Sequence, residues 1–209
     1  MASSLRSAAV VCCAVLMSAC SYTYTNKSNV VHAQRLDDMI VSVEDVRRIA
    51  AAEDFAPHIE AHLHKPPPAD PAAPEPCRAV GYNDLTFGGG WSDFRSAGYK
   101  GVTDDIDPGG NSMVNEVSQA VARYPSSDKA QAAFHKLESS LQACVALHNP
   151  NYEFTLDKPD SATLRITDLQ WCHLYRAKAA VLVSVGVLGL EASNQIADTI
   201  LQTITDRIK

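Results

Sequence analysis

Residues Ala180-Val-Leu-Val-Ser-Val-Gly-Val-Leu188 form a continuous apolar run near the C-terminus. A run without polar alternation is typical of a strand that is buried on both faces at the centre of a sheet. We therefore predict a central strand over residues 179–188. A second predicted strand, residues 171–177, precedes it closely, so the two together predict a β-hairpin.

The rest of the chain places further strands and helices around this hairpin. Alternating apolar patterns and turn signals predict strands, and helical spacing of apolar side chains predicts helices. The predicted strands cover residues 80–86, 94–102, 113–124, 152–156 and 162–168, and the predicted helices cover 126–147, 191–208 and two pieces within 36–64. Strands bracketed by helices with hairpin-length links favour an α+β fold with a central antiparallel β-sheet flanked by helices.

Residues 64–76 are rich in proline (His-Lys-Pro-Pro-Pro-Ala-Asp-Pro-Ala-Ala-Pro-Glu-Pro). Proline lacks a backbone donor and favours extended geometry. We predict a semi-rigid spacer or surface strap between the helical pieces and the strands.

The N-terminus has the layout of an export signal. Arg6 precedes an apolar stretch, residues 8–16, that is too short to span a hydrocarbon core, and small residues follow. Met17-Ser18-Ala19-Cys20 resembles the bacterial lipobox, whose cysteine accepts a diacylglyceryl group before cleavage, although the usual leucine is Met17 here. We expect residues 1–19 to be a lipoprotein signal peptide. The alternative is a plain secretory signal with a chance cysteine.

This assignment predicts an exported lipoprotein with three parts. Cys20 carries the lipid, residues 20–34 form a flexible tether, and residues 35–209 form the domain. Two or more acyl chains hold a protein stably on a membrane, since each buried methylene contributes about 0.8 kcal/mol. We therefore expect the chain on the extracytoplasmic face of the cell membrane.

The charge of the chain bears on its partners. Its formal net charge is −6, and an acidic chain lacks the phosphate-neutralising surface on which nucleic-acid affinity depends. We expect no nucleic-acid partner and no cofactor.

Three cysteines remain if Cys12 and Cys13 leave with the signal and Cys20 is lipidated: Cys77, Cys144 and Cys172. Oxidation is permitted outside the cytoplasm, so one disulfide and one leftover thiol are expected. The residues alone leave three pairings open.

The densest group of candidate metal ligands is His58, Glu60, His62 and His64. On a helix, His58 and His62 would lie one turn apart, a spacing that can hold zinc or copper. The order of residues is not the HExxH of metalloproteases, because the glutamate is displaced by one. We favour a solvated helix end and predict no metal site, with these histidines as the candidates if one exists.

Catalytic patterns are missing from the sequence. We find no GxSxG elbow and no cysteine with a credible histidine partner. His135, His148 and His173 are scattered, with His173 expected to alternate outward. The carboxylates of residues 104–107, beside Pro108-Gly109-Gly110, are typical of a turn. We expect no catalytic residue and no enzymatic activity.

Several segments, taken in order, resemble one known family. They include Cys77 before a strand, Phe87-Gly-Gly-Gly-Trp91, Val117-Ser-Gln-Ala-Val121 followed by Tyr124-Pro-Ser126, a helix ending in Cys144, and Trp171-Cys172 opening a hairpin. Their order and spacing are similar to those of the PknH-like extracellular sensor domain family. Its members are found on actinobacterial serine/threonine kinases and on lipoproteins.

The resemblance implies an α+β domain with a cleft and a role in ligand binding without catalysis. It also implies a disulfide between Cys77 and Cys144. The family's second pair would join Cys172 to a cysteine near Leu188, which is absent here, so Cys172 is expected to be a free, buried thiol. The rival expectation is that Cys172 pairs with Cys77 or Cys144.

We therefore expect a membrane-anchored ligand-binding or sensor-type module. Its ligand would be a small molecule, an envelope lipid or a glycan. The alternative is a structural or adaptor lipoprotein that binds another cell-envelope protein.

Overall fold

The computed structural model describes residues 34–102 and 114–209. Within these ranges the chain forms seven β-strands, four α-helices and several short 3-10 turns. The strands are β1 (Ala56–His58), β2 (Asp93–Val102), β3 (Val114–Arg123), β4 (Thr155–Asp160), β5 (Thr163–Asp168), β6 (Trp171–Lys178) and β7 (Val181–Leu188). The helices are α1 (Val43–Ala50), α2 (Asp84–Phe87), α3 (Ser127–Ala146) and α4 (Ser193–Asp206).

All seven strands belong to one antiparallel sheet in the order β1-β2-β3-β7-β6-β5-β4. The valine-rich β7 lies at its centre between β3 and β6, and seven of its eight residues are buried. The predicted α+β class, the central strand and the hairpin with β6 are confirmed.

One face of the sheet, here called the packed face, is covered by α1 and α4. Val183, Val185 and Val187 of β7 contact the side of α4 that carries Ile196, Ile200, Ile204 and Ile208. These isoleucines recur at helical spacing, so they form one apolar stripe. Burying them removes large apolar side chains from water, each worth about 1.5–3 kcal/mol.

The opposite face of the sheet is only partly covered by α3. Phe134, Leu137 and Leu141 of this helix pack against Phe94, Leu182 and neighbouring side chains of the sheet. Beyond this contact, toward the Glu116 end of β3 and the Leu188 end of β7, the same face borders a depression. We call this part, which α3 does not cover, the open face.

A disulfide and a proline-rich segment border the open face. Cys77, in the 3-10 turn Glu75–Ala79, is bonded to Cys144 of α3, which confirms that pairing. Residues 64–76 run along the surface, where Asp84 accepts from Ala69 N–H and its own N–H donates to Pro67, both at 2.8 Å. The segment is therefore a pinned surface strap.

The N-terminal end of the described domain is attached at one end of the sheet. The side-chain amide of Gln34 donates to the backbone carbonyl of Arg207, and the backbone carbonyl of Gln34 accepts from the guanidinium of Arg123, the last residue of β3. Gln119 then holds Val41 through two buried hydrogen bonds of 2.8 Å. The chain is thus fixed to the sheet from Gln34 onward.

Three predicted elements differ from the structure. Residues 80–86 are not a strand, because Asn83 caps α2 with a reciprocal capping box and a helical turn forms instead. The second helical piece within 36–64 is also wrong: Pro57 and His58 pair with β2 as an edge strand, a position that tolerates proline. The strand predicted at 152–156 begins at Thr155, after a 3-10 turn.

The predicted signal peptide, the lipidation at Cys20 and nearly all of the tether lie outside the described residues, as do Met113 and the acidic loop 104–107. Among the helices of the described ranges, none is both long and apolar enough to span a membrane.

Candidate binding site

One row of residues on the open face crosses five neighbouring strands and has small side chains at its centre. In strand order the row is His58, Gly98, Ser118, Gly186 and His173. Residues directly opposite each other on antiparallel strands present their side chains to the same face. The side chain of Ala61 lies directly over Gly98, so the row is a shallow trough only over Ser118, Gly186 and His173.

Gly186 keeps the middle of this trough open. A Cβ placed on it would lie 2.6 Å from the Oγ of Ser118 and 2.8 Å from the Nδ1 of His173, closer than side chains tolerate. A serine hydroxyl and an imidazole nitrogen thus face the same small space from the two neighbouring strands. Any residue with a side chain would fill that space.

His173 is buried and fixed by three neighbours. Its Nε2 lies 2.6 Å from the Oγ of Ser184, its ring stacks on Tyr175 at 4.6 Å, and Trp171 meets it edge-on at 5.5 Å. The Tyr175 hydroxyl accepts in turn from the N–H of Gly81. Burial lowers the pKa of His173 to about 3, so the imidazole is neutral. The expectation that His173 faces outward is wrong, because the loop at Gly81 covers that part of the sheet.

A depression of about 200 Å³ opens above the trough. We call it the first lobe. It combines aromatic, polar and glycine surfaces: Gly81, Tyr82, Glu116, Ser118, Trp171, His173, Gly186, Val187 and Leu188. Tyr82 is half-buried, and burial together with the nearby Glu116 carboxylate raises the pKa of its hydroxyl. The first lobe therefore presents a neutral phenol, a neutral imidazole and a serine hydroxyl.

Charged side chains on β1 and β2 lie close to Glu116, the carboxylate that lines the first lobe. The Nζ of Lys100 lies 3.8 Å from Oε2 of Glu116 and 3.3 Å from Nε2 of His58, which is itself 3.0 Å from Glu60. Because Lys100 faces Glu116, the one carboxylate of the lobe is compensated. The Nδ1 of His58 is buried without a hydrogen-bond partner in the described part of the chain.

The three histidines proposed as metal candidates are not brought together. His58 lies on β1, beside the trough, whereas His62 and His64 line a separate depression of about 230 Å³ with Arg95 and Asp37. The helical spacing that would have aligned His58 with His62 is absent, because a strand and a 3-10 turn replace the helix. Within residues 34–102 and 114–209, no three potential ligands are clustered around a metal-sized space.

Cys172 is fully buried on the packed face and is not disulfide-bonded in the described structure. Burial raises the pKa of its thiol to about 11, so the nucleophilic thiolate is scarce at neutral pH. Val187, rather than Leu188, lies directly opposite Cys172. Leu188 presents its side chain to the other face.

The residues of the first lobe were not selected from the sequence as a site. One local signal was present: a single glycine inside an apolar strand, Gly186, marks a bulge or a close approach of other atoms. The partners that approach it, Ser118 and His173, are 68 and 13 residues away along the chain. Only the strand register identifies them.

Comparison with known proteins identifies the fold and the family. A solved structure, the extracellular domain of PknH from Mycobacterium tuberculosis, matches with a TM-score of 0.63 and 19% sequence identity, over 83% of this chain and 94% of that one. No curated protein matches the chain. The family model of the PknH-like extracellular domain matches residues 31–207. The chain therefore belongs to the PknH-like extracellular domain family.

Proposed function

We propose that this chain is an extracytoplasmic lipoprotein, held on the cell membrane by lipid on Cys20, whose domain binds a ligand in the first lobe without catalysing a reaction. The export signal and the lipobox-like residues at Cys20 support the anchor. The family's description as an extracellular domain supports the location.

The observation that carries the binding proposal is the trough of small residues. A sheet face in a domain of this kind is normally covered by bulky apolar side chains, as it is beneath α3. Here the small residues Ser118 and Gly186 are paired on neighbouring strands, and polar groups converge above them. A concave site with aromatic walls and a few placed polar groups is the usual form of a ligand pocket.

The same geometry argues against catalysis by the Ser118–His173 pair. A general base needs a pKa near the working pH, whereas the pKa of His173 is about 3. The second ring nitrogen of His173 contacts Ser184, a hydroxyl, where a triad would have a carboxylate. The pair is suited to hydrogen bonding with a ligand.

Native mass spectrometry of the chain, gently extracted from its own membrane, tests both parts of the proposal. We expect a mass corresponding to residues 20–209 plus acyl groups, together with a non-covalent ligand mass. In Gly186→Ala, whose new Cβ fills the space between Ser118 and His173, the ligand mass should be lost. Val185→Ala is the matched control, since it lies next to Gly186 on β7 but faces the packed side.

The lipid anchor and the binding site can be refuted independently of each other. An unlipidated mass would make the chain a secreted protein and leave the binding site intact. A lipidated chain that carries the same ligand mass in the wild type and in Gly186→Ala would remove the binding site and leave the anchor.

The adaptor alternative is favoured by one observation at the same end of the sheet. Leu169 is 100% exposed in the turn between β5 and β6, and Val114 and Leu188 are 46% and 38% exposed. Exposed apolar side chains that lie together mark protein contacts. In-cell cross-linking to a defined envelope protein that is lost in Leu169→Ser but kept in Gly186→Ala would favour the adaptor role.

A further inference from the structure

We propose that the ligand is a neutral oligosaccharide that extends from the first lobe past Trp171. This inference rests on the proposed binding function and names the class of ligand. Trp171 also lines a second depression, of about 220 Å³. We call this the second lobe, and we call the two lobes together the groove. Val80 lines the second lobe and its neighbour Gly81 lines the first, so the two lobes adjoin along the chain as well as at Trp171.

Aromatic side chains are spaced along the two lobes. Tyr82 lines the first lobe, Trp171 lies between the lobes, and Tyr152 and Phe154 line the second. All four are partly exposed, so each presents apolar ring surface beside a polar edge. A pyranose ring has one face of C–H groups that packs on such surfaces, and a row of them suits a chain of sugar rings.

Polar groups of the right kind lie between these rings. Glu116, Ser118 and His173 line the first lobe, and Asn151, Glu153 and Asp168 line the second. Carboxylates and amides carry paired acceptors or an acceptor beside donors. Such planar groups bind the adjacent hydroxyls of a sugar, because each hydroxyl can both donate and accept a hydrogen bond.

The lining of the two lobes argues against anionic ligands and against lipid chains. Neither lobe is lined by a lysine or an arginine among the described residues, whereas phosphate and carboxylate ligands are normally held by such cations. The lysine nearest the groove, Lys100, already faces Glu116. A lipid chain needs a continuous apolar sleeve, and both lobes alternate polar with apolar walls.

The division into two lobes adds a prediction about length. A monosaccharide fills one lobe, whereas a disaccharide or trisaccharide reaches across Trp171 and contacts both. Affinity should therefore rise with chain length until both lobes are occupied. Ligands confined to one lobe would show no such rise.

Tryptophan fluorescence provides a direct test, because the chain contains two tryptophans. In a Trp91→Phe background, emission reports on Trp171. The probes are the glucose and N-acetylglucosamine series from monomer to trimer, with palmitate and inorganic phosphate as rival classes. We expect a saturable change with at least one neutral series and an affinity gain of about tenfold, or 1.4 kcal/mol, from monomer to trimer.

Two variants assign the lobes. Gly186→Ala should weaken binding through the first lobe, and Tyr152→Ala should remove the affinity gain of the trimer over the monomer. Thermal melts of both variants establish that they remain folded. The same disaccharide carried on a glycolipid in phosphatidylcholine vesicles separates two sources of this chemistry, a free glycan and a lipid headgroup.

The outcomes separate this inference from the function on which it rests. If palmitate or phosphate alone changes the emission of Trp171 and Gly186→Ala abolishes that change, the binding site stands and the saccharide class is wrong. If the affinity of a sugar is independent of its length, the two-lobed groove is wrong. If no probe binds and no ligand mass accompanies the extracted protein, both proposals fail.

Discussion

Replacing the disulfide with two alanines, Cys77→Ala/Cys144→Ala, should remove a large part of the stability of the domain. The bond closes a loop with a sequence separation of 67 residues. In the chain-entropy model, closing a loop of that length restricts the unfolded chain by about 4 kcal/mol. Both cysteines are buried, at 1% and 0% exposure, and alanine fits these positions without introducing a polar group.

The measurement is urea unfolding of the double variant and of the oxidised wild type, followed by circular dichroism. We expect the free energy of unfolding to fall by about 3–5 kcal/mol, against a total of about 5–15 kcal/mol for a domain. Chemical reduction of the wild type should give a similar loss. Cys172→Ala, which removes a buried thiol without opening a loop, serves as the control.

The same perturbation should affect the groove. Cys77 lies in the 3-10 turn that leads directly to Gly81 and Tyr82, two lining residues of the first lobe. Hydrogen exchange at residues 79–83 should therefore accelerate more than exchange in β7. A loss of less than 1 kcal/mol, or exchange that rises equally throughout the sheet, would refute the reasoning.

Three further predictions follow from buried groups. The pKa of the Cys172 thiol is raised to about 11, so the thiol should resist iodoacetamide in the native protein at pH 8 and react only after the protein is unfolded in urea. Mass spectrometry measures the labelling, and rapid labelling of the native protein would contradict the burial of Cys172. In the folded protein the pKa of His173 is lowered to about 3, whereas in the unfolded chain this side chain takes up a proton below its ordinary pKa of 6.5. The free energy of unfolding should therefore fall as the pH drops from 6.5 toward 4, by up to about 1.4 kcal/mol per pH unit. The slope should flatten in His173→Gln, and an unchanged slope would mean that another group is responsible. Gln119→Leu removes both hydrogen bonds to Val41. The C=O of Val41 still accepts from the Tyr99 hydroxyl at 2.7 Å, so only the buried N–H loses its partner, and the free energy of unfolding should fall by about 1–3 kcal/mol. Chemical denaturation measures this change, and a neutral result would show that water replaces the amide.

The elements that could be predicted from the sequence are those with a local periodic signal. The apolar run of β7 and the isoleucine stripe of α4 are buried as their patterns indicate. The strand predicted at residues 80–86 is absent because the Asn83 cap forms a helical turn there. Val80 and Tyr82 are only partly buried and Leu85 is 42% exposed, so the apolar pattern of this segment indicated neither its backbone conformation nor its burial.

The groove could not be predicted because it depends on register. His173 does face away from Cys172, as strand alternation requires, but that side is covered by Gly81 and Tyr82. The meeting of Ser118 with His173 across Gly186 requires three strands from distant parts of the chain to align residue for residue. A one-residue slip in β7 would turn Gly186 to the packed face.

The attachment of Gln34 beside Arg123 separates the N-terminal end of the domain from the lobes. Along β3, the lobe residues Ser118 and Glu116 lie five and seven positions from Arg123, which is about 16–23 Å at the rise of an extended strand. Any attachment made through Gln34 therefore holds the domain by the end of the sheet remote from the lobes and leaves their opening unobstructed.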